Sequence, residues 1–161
     1  MRVLGIDPGS RITGFGVVEK RGPRLFHVDN GCLAAKRSSP LDERLLQIYD
    51  RLRETLERFR PDAVAIEEVF YAKNVASLLV LGESRGIALL AARQSGIPIF
   101  EYAAREVKQA ITGYGQASKD QMQQMVKRLL NLPEIAQEDA SDGLSLAICH
   151  LNSFKLREAV A

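Results

Sequence analysis

Cysteine is scarce in this sequence: Cys32 and Cys149 are the only two in 161 residues. They show no CxxC spacing and no histidine pair at zinc-site distance. That weighs against a disulfide framework and a structural zinc centre, and for two reduced core thiols in a cytoplasmic protein. His150 stands next to Cys149, but one adjacent pair does not supply a four-ligand site. No apolar run is expected to reach the length of a membrane span. No signal-peptide pattern precedes the first strand, which the N-terminus enters directly. Repeats, low-complexity stretches and linkers are also missing, so one domain over residues 1–156 is expected, with a frayed tail over 157–161. Charge is close to balanced, 22 basic against 20 acidic residues giving a net +2. That balance does not demand a polyanionic partner, yet it allows a basic face beside an acidic pocket.

What is present begins with Val3–Asp7, an apolar strand that runs straight into a carboxylate. Burying a carboxylate is costly unless something binds it. Gly14–Lys20 reads as the hairpin partner across Pro8-Gly9-Ser10, and Leu25–Leu33 as a third strand. Gly14 and Gly16 strip one face of the second strand, a sign that another element approaches its backbone. Ser39 reads as the N-cap and Pro40 as the first residue of an amphipathic helix ending before Pro61. Ala63–Ile66 is a short buried run, expected to be a parallel strand, that ends in Glu67-Glu68. A long helix over 74–95, a strand over 97–102 and helices over 104–112, 118–130 and 138–155 complete the chain. The order describes an α/β layered domain with a mixed sheet.

Four carboxylates fit one pocket in such a domain. Asp7 and Glu67 end two strands, and ligands collect at the carboxyl ends of strands in α/β sheets. Asp139 and Asp142, spaced i, i+3, share one face at the start of the last helix. Taken singly, the helix acids suit the helix dipole and Glu67-Glu68 suits a solvated strand end. Taken together, four bare carboxylates repel, and divalent cations relieve that repulsion. Mg²⁺ prefers oxygen ligands, and a pair of such ions about 4 Å apart can activate water and stabilise a leaving oxygen.

Gly5-Ile6-Asp7-Pro8-Gly9-Ser10, Thr13-Gly14-Phe15-Gly16, Ala65-Ile66-Glu67-Glu68-Val69-Phe70, Glu101-Tyr102-Ala103-Ala104-Arg105, Val107-Lys108-Gln109 and Asp139-Ala140-Ser141-Asp142-Gly143-Leu144 resemble, in order, the RuvC family of Holliday junction resolvases. The resemblance spans Val3 to about His150. It implies an RNase H-like fold with a five-stranded mixed sheet, antiparallel over its first three strands. It implies a homodimer that nicks two strands of like polarity at a four-way DNA junction, in recombination and repair. By the same resemblance the catalytic and metal-ligating set is Asp7, Glu67, Asp139 and Asp142, holding two Mg²⁺ with Mn²⁺ able to substitute. Strand alternation keeps Glu68 from facing the way Glu67 faces. The RuvA–RuvB branch-migration complex is an implied partner.

Lys108 and Lys119 fall at family positions that contact DNA, Phe70 at one that stacks on a base, and Lys73 is a further DNA-binding candidate, ahead of Arg85, Arg105 and Tyr71. Leu78–Leu81 is apolar nearly all round, so the helix over 74–95 is expected to bury two faces, one against the sheet and one against a two-fold partner. Two other readings compete. Asp7-Pro8-Gly9-Ser10 with Gly14 and Gly16 also resembles the first phosphate loop of actin-like ATPases and sugar kinases, although a second phosphate loop and an adenosine motif are missing. A non-cleaving RNase H-like nucleic-acid-binding protein is the other, against which the intact acidic set argues.

Overall fold

The computed structural model of the protein describes residues 1–68 and 74–158, with side chains through Ser153 in the final helix. Five strands form one sheet in the order β3-β2-β1-β4-β5. β1 (Arg2–Asp7), β2 (Ile12–Arg21) and β3 (Arg24–Ala34) make an antiparallel meander. β4 (Ala63–Glu67) pairs parallel with β1, and β5 (Ile99–Tyr102) parallel with β4. The mixed sheet expected from the sequence is therefore present. α1 (Leu41–Phe59) makes the crossover from β3 to β4, and α2 (Val75–Gln94) the one from β4 to β5. α3 (Ala104–Thr112), α4 (Lys119–Leu129) and α5 (Glu138–Glu158) follow.

Strand alternation sorts the core into two layers. Leu4, Ile6, Phe15, Val17, Val64 and Ile66 pack on one face with Ile48, Leu52 and Leu56 of α1 and Ala88, Ala91 and Ala92 of α2. Val3, Ala63, Ala65 and Tyr102 pack on the other with Leu144, Ala147 and Ile148 of α5 and with Val107 of α3 and Met122 of α4. The odd-numbered positions of β1 and β4 face α5, so Asp7 and Glu67 are delivered to the same side.

α5 lies directly on strand backbone. A Cβ built on Gly5 would run into the Gly143 carbonyl oxygen and come within 2.8 Å of the Ala147 amide nitrogen. One on Gly14 would collide with the Asp139 backbone and reach 2.8 Å from the Asp139 Cβ. The missing side chains on β2 thus make room for a helix, as the strand pattern suggested.

Several boundaries differ from expectation. α1 starts one residue late, with Pro40 at the N-cap and no side-chain cap. Ser39 is instead held in the preceding turn, where its hydroxyl accepts from Gln47 Nε2 at 3.2 Å and its carbonyl from Arg44 Nη1 at 3.2 Å. β5 begins at Ile99 rather than Ile97, because Ile97 and Pro98 still belong to the turn leaving α2 and Pro98 enters the sheet only as an acceptor. α5 continues through Arg157 to Glu158, where a frayed tail was expected. α2 is long and apolar enough, by length and composition, to cross a bilayer, contrary to the expectation of no such run. Its C-terminal half packs on the α1 side of the sheet through Ala88, Ala91 and Ala92, whereas Val75, Leu78 and Leu79 in its N-terminal half are exposed in the single chain. Only one of the two expected faces is buried within the chain.

Replacing Gly5 with alanine would force α5 off β1. Gly5→Ala is expected to destabilise the protein by about 3 kcal/mol or more, read as a lowered urea midpoint. An unchanged midpoint would show that α5 does not need this approach.

Candidate active site

Asp7 ends β1 opposite Gly14, and Glu67 ends β4 one strand away. The missing Cβ of Gly14 lets the first turn of α5 settle beside Asp7, which brings Asp139 and Asp142 into its field. Burial, then the charges of Asp142, Asp139 and Glu67, push the Asp7 carboxyl from 3.8 up to about 7, against a smaller opposing pull from Lys119. Burial and Asp142 also raise Glu67, countered by Lys108. Burial raises Asp142 most, with Lys119 opposing and Glu138 and Asp139 adding to it. The four acids foreseen in the sequence therefore share one electrostatic neighbourhood. Glu68 follows the end of β4, its backbone amide donating to the Tyr102 carbonyl at 2.9 Å.

A cleft of about 220 Å³ opens here, lined by Glu67, Lys108, Lys119, Met122, Asp142 and Ser145 among others. Ser118 fixes the start of α4 through a reciprocal capping box with Gln121, which sets Lys119 at the cleft. Lys119 pairs with Glu138 and lies 3.7 Å from Asp142. Burial disfavours its charge, but the Glu138 hydrogen bond and the charges of Asp142, Glu138 and Asp7 outweigh that and raise the ammonium above its ordinary range. Both sequence-selected lysines thus reach the acidic site. Phe70, Tyr71 and Lys73 lie outside the described residues. Arg85 does not line the cleft; it pairs with Glu101 and donates to the Glu67 backbone carbonyl at 3.3 Å.

Cys32 corrects the reading of two core thiols. Cys149 is fully buried, but Cys32 is half-buried on β3, opposite Gly14, and its thiol is raised by burial and by Asp139. The pairing of Cys32 with Gly14 becomes visible only with the β2–β3 register, which includes an irregularity at Val17/Val18. Ser145 and Met122 are further cleft residues that no sequence motif singled out.

Among the described residues, no group of three or more His, Cys, Asp or Glu side chains is drawn together tightly enough to hold a metal ion as it stands. The donor set itself is all carboxylate oxygen, which suits a hard divalent cation, and the raised Asp7 carboxyl marks a site short of positive charge.

Without divalent cations, Asp7 binds its proton more tightly folded than unfolded. Its contribution to stability is intact below about pH 4, falls as pH rises towards 7 and stays lost above. Glu67 and Asp142 act in the same direction. Asp7→Asn is expected to melt higher than the wild type above pH 7 in chelator, and the two curves are expected to converge in acid. Parallel curves across thermal melts in a pH series would contradict the half-buried, repelled carboxylate.

Comparison with known proteins bears on this geometry. The family model for "Crossover junction endodeoxyribonuclease RuvC" matches residues 3–150. The RuvC protein of Geotalea uraniireducens is 57% identical over 95% of this chain and 90% of its own length. That of Geobacter sulfurreducens is 55% identical over 99% of this chain and 98% of its own. The structure of Thermus thermophilus RuvC in complex with a Holliday junction substrate superposes with a TM-score of 0.92 at 34% identity, covering 98% of this chain and 96% of that one. The yeast mitochondrial Holliday junction resolvase, at 14% identity and a TM-score of 0.67, shares the fold alone. An RNase H-like sheet, an acidic cleft at its carboxyl end and a match over nearly the whole chain place this protein in the RuvC family of crossover junction endodeoxyribonucleases.

Proposed function

We propose that the protein resolves four-way DNA junctions in recombination and repair by nicking two strands of like polarity, and that Asp7, Glu67, Asp139 and Asp142 are its catalytic and metal-ligating residues. The observation that carries the reading is the placement of Asp7, half-buried at the end of β1 with the charges of the other three acids acting on it. We take residues 1–156 as one nuclease domain, acting in the cytoplasm, with the RuvA–RuvB complex as the machine that delivers junctions.

The four carboxylates would hold divalent cations, Mg²⁺ by preference and two per site. When bound, such ions supply Lewis-acid polarisation of the scissile phosphate and a water acidic enough to attack at neutral pH. The chain's own residues do the rest. Lys108 and Lys119 flank the cleft and attract the phosphate. Lys119, kept charged by Glu138 and Asp142, stabilises the charge that develops on the phosphate oxygens. The apolar wall of Ala104, Val107, Met122 and Leu146 limits water around these groups. Phe70 and Lys73 remain candidates for the junction crossover on the family resemblance.

Two cuts of like polarity require two sites, hence a homodimer. Val75, Leu79 and Leu90 are 74%, 63% and 50% exposed and recur with Gly82 and Gly86 at helical spacing along α2. A Cβ on either glycine would meet nothing within 4 Å, so a partner helix can approach closely along that line. A contiguous apolar stripe of this kind favours a second copy over solvent.

Asp7→Asn is expected to lose junction cleavage by several orders of magnitude while still shifting a synthetic four-way junction in a gel. Cleavage by the pure variant at the wild-type rate, in Mg²⁺ but not in chelator, would remove Asp7 from the machinery. Leu79→Glu is expected to sediment as a monomer and to lose paired cutting. A dimeric Leu79→Glu protein would move the interface elsewhere.

A further inference from the structure

The catalytic end of the sheet carries a second concentration of positive charge, apart from Lys108 and Lys119. β1 ends there, β2 begins there and β3 ends there, so the β1–β2 turn and the β3–α1 connection lie side by side. The Ala35 amide joins them, donating to the Arg11 carbonyl at 2.8 Å. Arg11 is exposed on the first connection, and Lys36 and Arg37 are exposed on the second. Neither these three side chains nor Arg44 forms an ion pair with a described residue. The acids next in sequence, Asp42 and Glu43, occupy the first turn of α1, where they complement its dipole.

Both connections are braced. Thr13 Oγ1 accepts from the Gly9 amide at 3.1 Å and donates to the Gly9 carbonyl at 2.9 Å. Arg44 ties the two turns together, with Nε to the Ser10 carbonyl and Nη1 to the Ser39 carbonyl, each at 3.2 Å. Gln47 Oε1 accepts from the Lys36 amide at 2.8 Å. Unpaired cations held on fixed backbone lose little freedom when an anion docks. A recess of about 400 Å³ runs from Ser10, Arg11 and Arg44 to Ser77 on α2.

We propose that Arg11, Lys36 and Arg37 form a second DNA-backbone tract, which grips a junction arm on the β3 side of the acidic cleft. The inference rests on the reading that this cleft cuts DNA. Lys108 and Lys119 belong to α3 and α4, towards the β5 side, so a duplex laid across the cleft meets cations on both flanks of the acids that repel it. Charges spread over two connections match a row of phosphates along a strand rather than one free anion. The tract supplies affinity and register without reading sequence.

Binding of a synthetic four-way junction, without divalent cations and across a range of salt, tests this. Arg11→Ala/Lys36→Ala/Arg37→Ala is expected to bind more weakly than wild type. Its slope of log K against log salt should be shallower by about 0.9 for each phosphate that is no longer neutralised. Arg24→Ala/Arg51→Ala removes exposed charge from the opposite sheet end and the middle of α1, and should leave the slope unchanged. An unchanged slope in the triple variant overturns the tract while leaving the nuclease reading intact. An equal flattening in the control overturns it too, since removal of any charge would then suffice. A wild-type protein that fails to cut junctions in Mg²⁺ overturns the underlying reading instead. Should the triple variant lose stability, Arg37→Gln alone reads the same slope, because the Arg37 side chain makes no hydrogen bond with a described residue.

Discussion

Everything at the acidic end of the sheet follows from one close approach: α5 pressed against the bare backbone of β1 and β2. Gly5, Gly14 and Gly16 supply no side chain on that face, and Gly143 supplies none from the helix. A Cβ on Gly143 would itself sit 2.7 Å from the Gly16 amide nitrogen. With the spacer removed from both sides, the helix lies lower on the sheet than ordinary side-chain packing allows. Its first turn then stands level with the end of β1, so Asp139 and Asp142 act on Asp7 electrostatically. Val3, Ala63, Ala65 and Ala147 pack beside that approach together with the larger Leu144 and Ile148.

That arrangement is electrostatically expensive. Asp7 is driven to about 7 by burial and by its neighbours, and Glu67 and Asp142 are raised in the same way. Lys119 and Lys108 relieve part of the load, each opposing a neighbouring acid. Stability invested in the glycine-lined interface offsets the repulsion at the site. A functional site that violates local preference and is compensated by packing nearby is a familiar pattern in folded proteins.

The sequence made much of this legible, for reasons that differ residue by residue. Asp7 stood out because an apolar strand leads into it, and Gly14 and Gly16 announced an approaching element although they did not say which one. Glu67 was separable from Glu68 by strand alternation, and it is Glu67 that lines the cleft and acts on Asp7. Cys32 was illegible as a neighbour of the site, because its position depends on the β2–β3 register rather than on any local pattern. Ser39 looked like a cap by type, yet tertiary bonds from Gln47 and Arg44 hold it in the turn instead. The apolar character of α2 was visible, but periodicity could not tell which half packs within the chain and which half is left open.

The parallel pairing of β1 with β4 has a consequence for when activity can exist. Asp7 and Glu67 become neighbours only after α1 has crossed over, and Asp139 and Asp142 arrive only when the last helix docks. Contacts of such sequence separation form late, because the loop entropy must be met before they are rewarded. A nascent chain that ends before α5 therefore carries half of the acidic set and lacks the α5 wall of the cleft. By topology alone, then, the acidic cluster is a property of the finished chain and of no N-terminal part of it.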